Sequence, residues 1–313
     1  MVAGRQARLA DADNRLSAES VVRSYRERMW DFAERSPLEI WYDRIDVGRA
    51  AAQAPDERAR RTRERLIAKA QQRVGEMLFP KMVRSEGGRL QIVDQPPLIF
   101  HPEGLDAGDR VRKFLSQYRE SLADDRRVLY DRYQLEDVAL KVVGVGSVGT
   151  YCFAALFSSA DRAPLFLQLK EANPSVLEAY AGKSGFSHQG QRVVIGQRLM
   201  QAASDIFLGW GTGVQGREFY VRQLRDMKLS VPLLEGQAIE FRRYAGFCGW
   251  ALARAHANTG DAAVLAGYMG HGNVLDKAIG QFAMAYADQT ERDHATLIEA
   301  FREGRVEAIE DSG

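Results

Sequence analysis

The chain has 313 residues, of which 45% are hydrophobic and 27% charged, and its 43 basic and 42 acidic side chains leave a net charge of +1. Such a length and balance fit one large or two smaller globular units, and near-neutrality removes any global electrostatic case for nucleic acid or an acidic membrane surface. No apolar run approaches the roughly 18 residues of a membrane span, and the first residues lack an apolar signal core, so a cytoplasmic location is expected and no membrane partner.

The first 80 residues read as helical. Ser17 is placed to cap a helix bearing Val21, Val22, Tyr25, Met29, Trp30 and Phe32 at helical spacing. Asp56 is placed to cap a second, whose basic run from Arg58 to Arg73 reads as a solvated face rather than a nucleic-acid patch. Residues 84–102 read as irregular or short strand, broken by Gly87-Gly88 and Pro96-Pro97. Residues 107–133 read as one or two helices.

From Tyr133 to Met227 the pattern turns to strand. Val138–Val143 runs into a glycine loop, and Tyr151–Phe157 is apolar and aromatic. Ser158–Pro164 is a polar turn, and Leu165–Leu169 is a compact apolar strand ending at Lys170. Asn173 and Pro174 are placed to open a helix containing Glu178, and Gln189–Ala203 gives another. Strands are expected at Ile206–Leu208 and Glu218–Leu224. The chain then returns to helix at 238–257, 272–288 and 293–302. The two cysteines, Cys152 and Cys248, sit in apolar runs without a C-x-x-C pair or a Cys/His cluster. Buried reduced thiols are expected and a structural zinc site is not.

The loop Gly144-Val-Gly146-Ser147-Val-Gly149-Thr150 carries the G-x-G-x-x-G pattern. Glycines let the backbone approach phosphate oxygens and present N–H donors. A plain β-turn is the bland reading. A dinucleotide-binding fold is a second, with Glu171 about 20 residues on as the ribose acid; it needs a helix straight after Gly149. A kinase-type loop between antiparallel strands is the third, with Lys170 on the next strand for the α/β-phosphates and Glu178 as its ion-pair partner. Here Glu218–Leu224 leads into a hinge whose backbone would meet adenine. The order of parts favours this third reading, with ATP and Mg²⁺ as the implied cofactors and Gly144, Gly146, Ser147, Gly149, Lys170 and Glu178 as the binding residues.

Residues 142–150, Leu165–Ala172, His188–Val194 and Gln197–Trp210, with Phe219–Lys228, Cys248–His256 and Tyr286–His294, resemble a large bacterial family of uncharacterised proteins, a domain of unknown function. The resemblance runs from about Ser17 to near the C-terminus. Longer members carry upstream G-D-x-H-x-x-N-F-G and F-D-x-N-D-F-D segments that look like a kinase catalytic loop and a metal-binding aspartate, in a circularly permuted order. Neither occurs in this sequence; the nearest imitation is His256-Ala-Asn-Thr-Gly260-Asp261, where Asp261 reads as a helix-end or loop residue rather than a catalytic base and His256 as structural. His188, His271 and His294 show no metal-ligand spacing.

The resemblance therefore implies an α+β, protein-kinase-like fold. A sheet unit over 134–227 is expected between helical segments 1–133 and 228–313 that share one lobe. It implies a nucleotide-binding, kinase-like phosphotransferase with an unspecified phosphate acceptor. A non-catalytic, pseudokinase-type binding module is the alternative, with catalysis weakened by the missing segments. Met1 is expected to fall in mid-domain, so that exposed apolar surface favours self-association.

Overall fold

A computed structural model describes residues 1–44, 82–102, 109–144, 148–224 and 238–307, with 60, 61, 64, 65 and 68 besides. The fold is α+β. The chain divides into two compact units: one of Met1–Glu64, Leu199–Ala202 and Ser230–Gly313, the other of Arg65–Arg198 and Ala203–Leu229. The helix expected from Asp56 lies largely outside the described residues, and no described helix is long and apolar enough to cross a membrane.

The first unit is helical. Helices α1 (Val2–Gln6), α2 (Asp11–Ala33) and α3 (Pro37–Tyr42) open the chain. Ser17 does not cap α2; the helix starts six residues earlier, and the Ser17 hydroxyl donates to the Asp13 carbonyl one turn back. Ser36 does cap α3, in a capping box with Glu39. The later helices α8 (Ala238–Ala257), α9 (Ala262–Met269) and α10 (Val274–Arg302) belong to this unit. The expected break between 288 and 293 is absent, and α10 runs through it. Its acids and bases there face solvent and interrupt nothing.

Helix α8 lies close against α2 because small residues line the contact. A Cβ on Gly249 would stand 2.1 Å from the Val21 carbonyl oxygen, and the Ser24 hydroxyl donates to the Gly246 carbonyl at 2.7 Å. Met29 and Phe32 from α2, Ile40 from α3 and Ala253, Ala257, Ala262 and Ala266 form the core.

The second unit is built on a six-stranded antiparallel sheet. Its strands are β3 (Ile99–Phe100), β4 (Tyr133–Lys141), β5 (Cys152–Ser159), β6 (Pro164–Glu171), β7 (Gly209–Thr212) and β8 (Glu218–Gln223), in the order β3-β4-β5-β6-β8-β7. A hairpin of β1 (Val83–Glu86) and β2 (Arg89–Ile92) accompanies it. One face packs on helices α4 (Asp109–Ser121) and α5 (Asp124–Tyr130) through Phe114, Tyr118, Leu122 and Tyr130. The other face packs Ala139, Ala154, Leu156 and Phe166 against Leu90, Ile92 and Ile99. Strand β5 is thus buried on both faces, which explains why its sequence is apolar without alternation.

Two expectations about this region are corrected. Helices α4 and α5 belong to the sheet unit, not to a helical lobe over 1–133, because their apolar stripes are spent on the sheet. The strand expected at Ile206–Leu208 is instead β7, three residues on; Phe207 and Leu208 are buried but lie in the turn before it.

Candidate functional site

Strands β4, β5 and β6 form a continuous antiparallel meander, and the glycine loop joins the first two. Gly149 has φ of +77°, the left-handed conformation that only glycine adopts without strain. Nothing lies near a Cβ built on Gly144 or Gly149, so the backbone there is open to a ligand. Gly146 and Ser147 lie outside the described residues.

The loop delivers the chain straight to the lysine. Cys152, three residues after Gly149, pairs in register with Lys170, and the Glu171 amide donates to the Tyr151 carbonyl at 2.9 Å. Strand alternation then sorts the side chains. Cys152, Gln168 and Lys170 share one face with Tyr220 and Arg222 of β8 and Lys141 at the end of β4.

Beneath Lys170 runs a buried polar chain. Gln168 is 4% exposed. Its amide nitrogen donates to the Cys152 sulfur at 3.2 Å, and its amide oxygen accepts two bonds from Arg222, each 3.3 Å. Burial pushes the Cys152 thiol up, while the Gln168 bond and the positive charges of Lys170, Lys141 and Arg222 pull the other way. Three cations therefore act on the Cys152 thiol, on the strand that follows the glycine loop. Such a cluster has the chemistry to hold phosphate oxygens.

Glu178 does not pair with Lys170. The expected helix from Pro174 is only one turn, α6 (Glu178–Ala181), stopped by Gly182 at φ +84°. Val176, Leu177 and Tyr180 are exposed, so nothing packs to extend it. The full helix that follows, α7 (Gln189–Met200), contains no acidic residue. It docks on β8 instead, where Glu218 accepts from the Gln189 amide at 2.7 Å. Among the described residues Lys170 makes no ion pair.

Glu171 is not a ribose-binding acid. Its side chain is turned to the other face and 6% exposed, accepting from the Tyr151 amide at 2.9 Å and from Arg217 at 2.7 Å. The dinucleotide reading needed helix over 150–160; Cys152–Ser159 is strand, and that reading falls.

The remaining candidates are structural. Asp261 caps α9 by accepting from the Val264 amide at 3.0 Å. His256 Nδ1 meets the Tyr25 hydroxyl at 2.9 Å, and His271 stacks on Trp30 with centroids 3.8 Å apart. His188 Nδ1 accepts from the Gln191 amide at the start of α7. Cys152 is buried, but Cys248 is exposed, on the solvent side of α8. No three His, Cys, Asp or Glu among the described residues form a group able to hold a metal.

Sequence reasoning missed Gln168 and Arg222. The signal was present: a lone amide inside the otherwise apolar Leu165–Leu169 run needs a buried partner, and Arg222 interrupts an apolar strand in the same way.

No curated protein and no solved structure matches the chain. A family described as an uncharacterized protein conserved in bacteria, DUF2252, matches residues 1–300, and the chain belongs to that family.

Proposed function

We propose that the sheet unit binds ATP at its Lys170 face, and that members of the family use this kinase-like unit for phosphoryl transfer. The observation that carries the reading is the register of Lys170 with Cys152, three residues beyond Gly149, on a face that also bears Lys141 and Arg222. The backbone of Gly144 and Gly149 would approach the phosphates. Lys170 would neutralise α- and β-phosphate oxygens, and Arg222, anchored on Gln168, would add a second cation. The order of parts supports the reading further: glycine loop, strand, lysine strand, helix, then two strands, with β8 beside the lysine strand and the chain leaving the sheet unit after Leu229.

A non-catalytic binding module is favoured by one observation. Lys170 lacks a carboxylate partner among the described residues, and transfer in protein kinases requires such a pair to be in place. Titration calorimetry with ATP, with and without Mg²⁺, tests the binding step. Lys170→Ala is expected to weaken saturable ATP binding at least tenfold while leaving the circular dichroism spectrum unchanged. Equal affinity in the variant refutes the assignment. Binding without turnover of ATP to ADP selects the module over the transferase.

A further inference from the structure

The opposite face of the same sheet holds a cavity of about 290 Å³ within the sheet unit. Helix α4 closes it from one side with Phe114 and Leu115, the sheet supplies Val138, Ala155 and Leu169, and the turn Gly213–Arg217 forms its lip. Phe153 and Leu169 alternate along their strands with Cys152 and Lys170. The cavity therefore belongs to the other side of the sheet from the cation cluster.

Its chemistry is specific. Phe153 and Phe219 stand 6.0 Å apart by ring centroids, Phe219 meets Phe114 edge-on at 5.9 Å, and Tyr151 lies parallel to Phe153. A planar ring placed among them continues this pattern of edge and face contacts. Arg217 is the sole charged side chain among the described lining residues, and it is already occupied. It donates to the buried Glu171 carboxylate at 2.7 Å, and its guanidinium lies 4.7 Å from the Tyr151 ring centroid. An incoming charge would have to break that pair. At the lip, the Gln215 amide and the Tyr151 hydroxyl make no hydrogen bond to another described residue. Gln215 is held at φ +58°, a strained left-handed conformation for a residue with a side chain. An apolar cavity of roughly 150 Å³ stays dry and accepts benzene; this one has space for about two rings.

We propose that this cavity is a binding site for a neutral one- or two-ring aromatic molecule with a single polar edge, its rings against Phe153, Phe219 and Leu115 and its polar edge toward Gln215. The assignment does not rest on nucleotide binding at the other face.

Indole is the probe. Titration of the full chain, followed by saturation-transfer and amide chemical-shift changes, is expected to show saturable binding with the largest shifts at residues 111–115, 151–155 and 213–219. Leu115→Trp, and separately the milder Val111→Phe at the rim, fill the space and are expected to weaken indole at least tenfold. Lys170→Ala is expected to leave indole affinity unchanged. Absence of saturable binding, or shifts mapping elsewhere, overturns the proposal from the wild-type protein alone. So does undiminished binding in a folded cavity-filled variant. Tighter binding of indole-3-acetate than of indole overturns the neutral-ligand assignment.

Discussion

The buried ion pair of the helical unit gives the sharpest test of how that unit is held together. Arg26 of α2 donates from Nε to Asp276 Oδ1 at 3.0 Å and from Nη2 to Oδ2 at 2.9 Å, and from Nη1 to the His271 carbonyl at 2.9 Å. The Arg26 side chain is 8% exposed and that of Asp276 1%. Asp276 also sits in the first turn of α10, where the helix dipole favours a negative charge. The bonds and charge of Asp276 raise the Arg26 guanidinium further above its usual range, so Arg26 stays charged at every working pH. Asp276→Ala strips the bidentate partner and leaves a buried cation with one carbonyl; such truncations cost about 3–5 kcal/mol. Arg23, 4.0 Å from Asp276 and half exposed, cannot take the place of the lost carboxylate.

With a urea dependence of about 1–3 kcal/mol per molar, that loss moves the unfolding midpoint of this unit down by over ~1 M. The double variant Arg26→Met/Asp276→Leu removes both charges and keeps the volume. It is expected to be far less destabilised than the sum of Arg26→Met and Asp276→Leu, because burying neither charge is cheaper than burying one. Urea unfolding followed by far-ultraviolet circular dichroism reads the wild type and the four variants. A single truncation costing under about 1 kcal/mol, or strict additivity in the double variant, would show that the pair is effectively solvated and would refute the argument.

Two glycines of α7 should respond with opposite signs. A Cβ on Gly190 would stand 2.3 Å from the Phe219 carbonyl oxygen, whereas nothing lies within 4 Å of one on Gly196. Gly190→Ala is expected to destabilise by about 1–3 kcal/mol through overpacking, and Gly196→Ala to stabilise by up to about 1 kcal/mol through helix propensity, both read by thermal unfolding. His101 bridges Asp94 at 2.7 Å and Asp137 at 3.0 Å. Burial opposes its charged form, but the bonds and charges of the two aspartates outweigh it and raise the imidazole. The stabilisation is therefore complete below the unfolded value of about 6.5 and fades as pH rises through the higher folded value. His101→Gln should narrow its deficit against wild type as pH rises from about 5.5 to 8.5; a deficit that does not change across that range contradicts the pairing. Cys248 should react with a thiol reagent in the native protein and Cys152 only on unfolding; two equally fast thiols would contradict the burial of β5.

What the sequence determined by itself was local. The glycine loop, the turn at 158–164 and the apolar run ending at Lys170 specify a hairpin whose parts are neighbours along the chain, and the structure has β4, β5 and β6 there. Asp261 was legible as a helix-end or loop residue, and the structure makes it the cap of α9. The helices at 109–130 were legible as helices too. Their allegiance was not, because periodicity marks an apolar stripe without saying which layer covers it, and only the tertiary structure assigns α4 and α5 to the sheet. The same limit hid the start of α2: packing against α8 carries the helix back past Ser17 to Asp11. It also produced the error at Glu178. Capping residues favour a helix from Asn173, but helix growth needs a packed face, and Val176, Leu177 and Tyr180 have none. The carboxylate that meets a cation at this end of the sheet is Glu171, whose direction was set by strand pairing. Pairing across β5, β6 and β8 likewise brings Cys152, Gln168 and Arg222 together from three separate segments, and no spacing within any one of them could show it.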